Sequence, residues 1–279
     1  MALRINHNVI ALNAYRHLSS TQNQLQKSIE RISSGLRIIR ASDDAAGLAI
    51  SEQMRADIRS MNQAIRNAND GVSMLQTAEG ALNEVSGMLT RMRELAEQAA
   101  TGTVGDAQKK TLDSEFQQLM SEIDRIAEVT EFNGTKLING DLSSGSADAA
   151  TFQIGIQATA NDRLAVDIDS MKTEELAISG VVISTAGLAQ SALAKIDSAI
   201  AQVASQRGTI GAVQNRLERT IANLSISAEN LTAAESQVRD VDMALEMAAF
   251  TKNQIMSQAG TAMLAQANLV PQTVLTLLG

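Results

Sequence analysis

The chain has 279 residues, 44% of them hydrophobic but only 2% aromatic, with no Trp, no Cys and a net charge of −8. The absence of cysteine excludes disulfides, thiolate metal sites and cysteine nucleophiles. So few rings argue against a compact globular core, where aromatic side chains carry much of the buried area. Ala, Leu, Ile, Val and Met with a single proline, Pro271, is instead the composition of long helices lying side by side.

Near the start, Ala11, Tyr15, Leu18, Gln22, Leu25, Ile29, Ile32, Leu36 and Ile39 recur in alternating steps of four and three, an apolar seam on a long helix. Ser33-Ser34-Gly35 should close that helix. Ser42 or Asp43 is expected to cap the next one, with the Asp43-Asp44 pair at its positive end. No histidine or third ligand lies nearby, so capping outweighs metal or acid–base chemistry for the two carboxylates.

A second seam runs Ile58, Met61, Ile65, Ala68, Val72, Leu75, Ala78, Leu82, Val85, Leu89, Met92, Ala96, Ala99. Its one doubled step of three, Leu75 to Ala78, is a local stammer. Gly71, Gly80 and Gly87 fall inside this helix at a cost of about 1 kcal/mol each against Ala; close approach of another helix is the expected reason. The Thr101–Gly105 loop reverses the chain. A shorter helix follows through Leu112, Phe116, Leu119, Ile123 and Ile126, ending before a turn at Phe132-Asn133-Gly134.

Only then does the period become two. Phe152, Ile154 and Ile156 alternate with polar residues, 158–162 forms a turn, and Leu164, Val166 and Ile168 alternate again, predicting a β-hairpin near 151–168. From about Leu188 the chain returns through a heptad of aliphatics: Ile196, Val203, Ile210, Leu217, Leu224, Leu231, Val238 and Leu245. As one helix those 50 residues would be about 75 Å long. Beyond it, Ile255, Ala259, Ala262, Gln266 and Leu269 keep the same spacing and are expected to form a buried interface. The fold class is therefore mainly α: a long antiparallel helical bundle or coiled coil with paired N- and C-termini and a small β-hairpin tip.

Charge follows the same plan. Residues 1–60 carry +3, residues 61–180 carry −10 and residues 181–279 carry −1, so the middle should be the most solvated part. From Asn253 to Gly279 there is no charged residue, yet the Gln and Asn in that stretch make it too polar for a typical membrane span. The opening residues lack the uninterrupted apolar run of a secretory signal.

No chemistry emerges. His7 and His17, ten residues apart on one predicted helix, are not placed to share a metal. The metalloprotease, phosphate-loop, dinucleotide and serine-nucleophile motifs are missing, as is any basic patch interleaved with aromatics. Neither an enzyme, a cofactor, a metal nor a nucleic-acid partner is expected.

Three blocks carry a resemblance. MALRINHNVIALNAYRHL at the start, ISSGLRIIRASDDAAGLAISEQMRADIRSMNQAIRNANDGVSMLQTAEGAL, and the stretch from Ser236 to Gly279, above all MSQAGTAMLAQANLVPQTVLTLLG, resemble bacterial flagellin over about the first 140 and last 90 residues. The family's variable outer region is reduced here to the hairpin and its flanks. The resemblance implies a subunit that self-assembles into the extracellular flagellar filament for swimming motility. It implies an inner coiled-coil layer from residues 1–42 and 239–279 and a rod-like outer layer from 43–238, and hence a break near Val238 despite the unbroken heptad. Ala11, Leu18, Leu25, Ile32, Leu36, Leu245, Ile255, Ala262, Leu269, Leu275 and Leu278 would form the self-assembly interface.

Other family properties follow as expectations. Members are exported unfolded through the flagellum's own type III apparatus, without a cleaved signal peptide, and work with an export chaperone, cap and junction proteins. Leu89–Ala96, with Glu115 on the next helix, resembles the segment read by the vertebrate flagellin-sensing Toll-like receptor, so that Arg91, Leu95 and Glu115 would be contacts; Arg91 and Leu95 lie off the predicted seam. Val274-Leu275-Leu277-Leu278 resembles what cytosolic immune sensors read. Ser143, Ser144, Ser146 and Thr151 are candidate O-glycosylation sites. The rival readings are a hook–filament junction protein with similar termini, a flagellin carrying a zinc-protease insert, against which the short middle and missing H-E-x-x-H argue, and a generic coiled-coil adaptor.

Overall fold

The computed structural model describes residues 8–143 and 150–278, with side chains through Leu269. In order, the described elements are α1 (Val9–Ser34), α2 (Ala45–Ala100), α3 (Asp106–Val129), β1 (Glu131–Phe132), β2 (Thr135–Lys136), β3 (Ala150–Gln153), β4 (Arg163–Val166), α4 (Ala186–Arg239) and α5 (Met243–Leu278). They divide into two compact units, Met1–Ala56 with Asn230–Gly279, and Asp57–Glu229.

In the first unit α1 and α5 pair antiparallel. Asn8, at the start of α1, donates its side-chain N–H to the Ala267 carbonyl at 2.7 Å, while Arg31 near its end lies 3.5 Å from Glu246. Midway, a Cβ on Gly260 would stand 3.1 Å from Leu18 Cδ1. On α1 the covered positions are Ala11, Ala14, Leu18, Thr21, Leu25, Ser28 and Ile32, with Thr21 and Ser28 the most buried. This corrects the expected seam at three places: Tyr15, Gln22 and Ile29 are exposed. The two registers share Ala11, Leu18, Leu25 and Ile32. Small Ala14, Thr21 and Ser28 admit a closely packed partner that Tyr15 and Ile29 would hold off.

Helix α1 closes as expected at Gly35, whose φ of 71° is left-handed and whose N–H donates to the Arg31 carbonyl at 2.8 Å. The chain then passes beside the link between α4 and α5. Leu36 and Asp240 form an antiparallel bridge, Arg37 N–H donates to Arg239 O at 2.7 Å, and Val241 N–H returns to Gly35 O at 3.0 Å. The Arg37 guanidinium also donates to Val238 O. Helix α2 is capped by Asp44, whose Oδ1 accepts from Gly47 N–H at 2.9 Å, not by Ser42 or Asp43. Asp43 turns back instead to the Arg40 N–H and to Lys27.

The heptad of Ile196 to Leu245 does not lie on one helix. It breaks just past Val238, where Asp242 Oδ1 accepts the N–H groups of Ala244 and Leu245 and starts α5. Ile196, Val203, Ile210 and Leu217 are buried, Leu224, Leu231 and Val238 half-buried, and Leu245 is 73% exposed. A capping aspartate is incompatible with helix continuation, so the periodicity survives the break while the packing does not.

The second unit holds one apolar core. From Ala68 to Ala99 the α2 seam is buried except at half-buried Val72, and it joins Phe116, Met120, Ile123 and Ala127 of α3 and the upper heptad of α4. The hairpin forms with Phe152 opposite Leu164 and Gln153 opposite Arg163, its strands shorter than the alternation predicts. Leu164 and Val166 enter the core. A second, two-residue hairpin pairs Glu131 with Lys136 around Asn133 (φ 49°) and Gly134 (φ 82°), a pair of left-handed residues suited to a two-residue turn. Polar staples hold the irregular stretch that precedes α4: Asp124 accepts the Thr173 N–H and hydroxyl at 2.8 Å each, and Asp113 accepts Ile183 N–H at 2.7 Å.

Candidate assembly surface

The seam between α1 and α5 mixes half-buried Leu18, Leu25 and Ile32 with small or polar Thr21, Ser28, Asn253, Ser257 and Gly260. Other large apolar side chains stay uncovered. Val9, Ile10, Leu12, Tyr15 and Ile29 of α1 and Leu245, Ile255, Met256, Met263 and Leu269 of α5 are exposed. So many exposed large apolar side chains on two paired helices call for a partner. Beyond Lys252 there is no charge on α5 to oppose its burial.

The named interface residues divide accordingly. Ala11, Leu18, Leu25 and Ile32 are half-buried on the side of α1 that meets α5, and Leu36 sits half-buried in the bridge to Asp240. Leu245, Ile255, Ala262 and Leu269 are exposed; the expected burial of the stripe from Ile255 to Leu269 does not occur within the chain. Leu275 and Leu278 lie outside the described side chains. The stripe on α5 that does meet α1 runs through Glu246, Gly260 and Ala267. Its sequence signal is the seven-residue spacing of Asn253, Gly260 and Ala267, which larger neighbours mask.

In the second unit, Arg91 donates to Glu94 and to Glu115, both at 2.9 Å. Two residues on, Arg93 reaches Asp197 of α4 at 3.0 Å. All five side chains are about half exposed. Hydrogen bonds donated to Glu94 first and to Glu115 second raise the Arg91 pKa above its ordinary value, so the guanidinium is a fixed charge. Leu95 is different: it is 1% exposed and belongs to the core, not to the surface its off-seam position suggests. Here α2 is packed by other elements of the core over a face wide enough to take both Leu95 and Ala96.

Among the remaining candidates, Thr151 is exposed and Ser143 half-buried, while Ser144 and Ser146 lie outside the described residues, as does His7. Among the described residues, no three His, Cys, Asp or Glu side chains are placed to hold a metal, and no helix is long and apolar enough to cross a membrane. An open depression of about 350 Å³ between α2 and the β3–β4 hairpin is lined by Gln63, Asn67, Gln153 and Gln157, amides without acid–base capacity. The exposed apolar side chains of α1 and α5 are suited to adhesion between helices.

Comparison with known proteins agrees with that geometry. Residues 5–143 match the bacterial flagellin N-terminal helical region and residues 193–278 the bacterial flagellin C-terminal helical region. Flagellin of Bacillus subtilis (strain 168) is 50% identical over 305 residues, covering 99% of this chain and 100% of its own. Flagellin of Halalkalibacterium halodurans is 50% identical over 278 residues, covering 98% and 99%. Among solved structures, Bacillus cereus flagellin superposes with a TM-score of 0.50 at 30% identity, over 61% of this chain and 94% of that one. Identity at this level along both helical ends and the segment between them shows that the chain belongs to the bacterial flagellin family.

Proposed function

We propose that this chain polymerises with copies of itself into the flagellar filament, and that the uncovered apolar face of α1 and α5 is the surface that drives it. The filament is a structural, extracellular assembly, and the role calls for no catalytic step. The observation that carries the reading is the exposure of large apolar side chains on both terminal helices, with no charge after Lys252. Each subunit's face covers a different patch on its neighbour, and such heterologous contacts propagate as a helix rather than closing into a ring.

Within the subunit we place the inner layer at residues 1–42 and 239–279 and the outer layer at 43–238, dividing at the turn before α2 and at the end of α4. The compact units divide further along α2 and α4 because Glu52 and Arg239, 2.6 Å apart, tie those stretches to the Leu36–Asp240 bridge. A lone antiparallel pair leaves many of its large apolar side chains uncovered, so it gains little by forming alone. This fits export of an unfolded chain through the flagellum's own type III apparatus, with a chaperone shielding the apolar ends and cap and junction proteins meeting them at the filament's limits. Arg91 and Glu115 are read as contacts for the vertebrate flagellin-sensing Toll-like receptor, with Leu95 acting from beneath as support.

The test is assembly. Heat-dissociated full-length protein, cooled with short seeds, is expected to give long filaments by electron microscopy, and a chain ending at Lys252 none. Discrete small oligomers from both would reject the filament reading.

A further inference from the structure

The chain has twelve methionines and neither Cys nor Trp, so its thioethers are its most oxidisable groups. Their placement is uneven. Met61, Met74, Met92, Met120 and Met171 are buried, and Met54 and Met88 half-buried. Among the described residues the four exposed methionines, Met243, Met247, Met256 and Met263, all lie on α5, at 45% to 65% exposure. Met243 and Met247 are one turn apart and share a face; Met256 and Met263, two turns apart, share another. Both pairs flank the stripe that meets α1 at Arg31, Leu18 and Asn8. The accessible thioethers are thus part of the apolar surface that the terminal pair leaves open.

We propose that α5 is an oxidation-sensitive assembly surface: hydrogen peroxide converts Met243, Met247, Met256 and Met263 of the free subunit to sulfoxides and so prevents its addition to a filament. This rests on the filament reading above. In each event a sulfur lone pair attacks one peroxide oxygen, the O–O bond breaks, an S–O bond forms, and the other oxygen leaves as water after taking up a proton. Sulfur gives up two electrons and the peroxide accepts them, so no further reactant is needed.

The consequence follows from polarity. A sulfoxide replaces a flexible apolar side chain with a polar, chiral acceptor. On a surface that becomes dry on assembly, an acceptor without a donor opposes burial. No Lys or Arg follows Lys252, so beside Met256 and Met263 only side-chain amides and hydroxyls of α5 remain as donors. Once a subunit is in place the same sulfurs are covered, so the filament should resist an oxidant that disables its precursors. Sulfoxide reductases reverse the modification, which makes the block reversible.

The experiment treats dissociated full-length subunits with hydrogen peroxide, maps oxidation by peptide mass spectrometry, and then seeds polymerisation. The four α5 methionines are expected to gain oxygen at least about tenfold faster than Met74, Met92, Met120 and Met171, since oxidation follows exposure. The polymerised fraction should fall by about tenfold, because buried unpaired acceptors oppose assembly. Met243→Leu/Met247→Leu/Met256→Leu/Met263→Leu should polymerise with or without peroxide. If that variant does not polymerise untreated, the two pairs are replaced separately, and each is expected to restore part of the assembly lost after peroxide.

Subunits oxidised on α5 that still polymerise like untreated ones overturn the proposal and leave the filament reading intact. Leucine variants that remain as peroxide-sensitive as the wild type overturn it too, by placing the block elsewhere. Untreated wild-type protein that fails to polymerise on seeds rejects the filament reading itself and the assembly block with it.

Discussion

Lys27 Nζ lies 2.6 Å from Asp43 Oδ1, joining the middle of α1 to the turn that leads into α2. The other carboxylate oxygen accepts the Arg40 N–H at 3.2 Å, so Asp43 closes its own turn while holding the helix before it. The carboxyl group is only 11% exposed. The Lys27 hydrogen bond, set against burial and helped by the Arg40 and Ile39 N–H groups, keeps its pKa below the ordinary aspartate value.

That depression has a pH signature. A carboxyl whose folded pKa is below its unfolded value stabilises fully above the unfolded value, at about pH 4, and its contribution is lost as pH falls through the folded value. Protection of the Gly35–Asp44 amides from hydrogen exchange, taken relative to the intrinsic rate at each pH, should therefore be high at neutral pH and fall in acid. Asp43→Asn should exchange faster at neutral pH and show a flatter profile. Identical profiles for the two proteins would mean that the Lys27–Asp43 pair does not secure the turn.

The long seam of α2 was legible because a single partner-facing stripe runs unbroken through residues that are nearly all aliphatic. Helix α1 was not, since Ala11, Leu18, Leu25 and Ile32 serve two registers and the bulkier one, through Tyr15 and Ile29, is the exposed one. Sequence periodicity ranks positions by hydrophobicity, whereas α5 selects them by size. Leu95 was misplaced for a related reason: a two-helix seam has room for Met92 and Ala96 only, and the extra packing that buries Leu95 comes from elements distant in sequence. Asp113 and Asp124, which hold Ile183 and Thr173, leave no local signature at all.

Gly71, Gly80 and Gly87 of α2 can be told apart. A Cβ on Gly71 would lie 3.3 Å from both Leu217 and Phe152, whereas Gly80 and Gly87 have nothing within 4 Å. Of these three, close approach accounts for Gly71 alone. Gly71→Leu is expected to cost about 1–3 kcal/mol by overpacking. Gly80→Ala and Gly87→Ala should each gain about 0.5–1 kcal/mol from helix propensity. Urea unfolding followed by circular dichroism separates them, and a destabilised Gly80→Ala would show that its surroundings are not open.

The residues proposed as receptor contacts divide by burial in the same way. Leu95→Ala removes a fully buried side chain and should cost about 2–5 kcal/mol, in proportion to the cavity left behind. Its effect on Toll-like receptor signalling would then track the unfolded fraction. Arg91→Ala and Glu115→Ala break a pair that is half exposed on both sides, so the unfolding midpoint should stay near that of the wild type. Signalling in receptor-reporter cells should nonetheless fall with either replacement, and exchanging the two, Arg91→Glu with Glu115→Arg, should rebuild the pair without restoring it. Full activation by a folded Arg91→Ala/Glu115→Ala protein would remove this patch from the receptor contact and leave Arg91 with only its role in bridging α2 and α3.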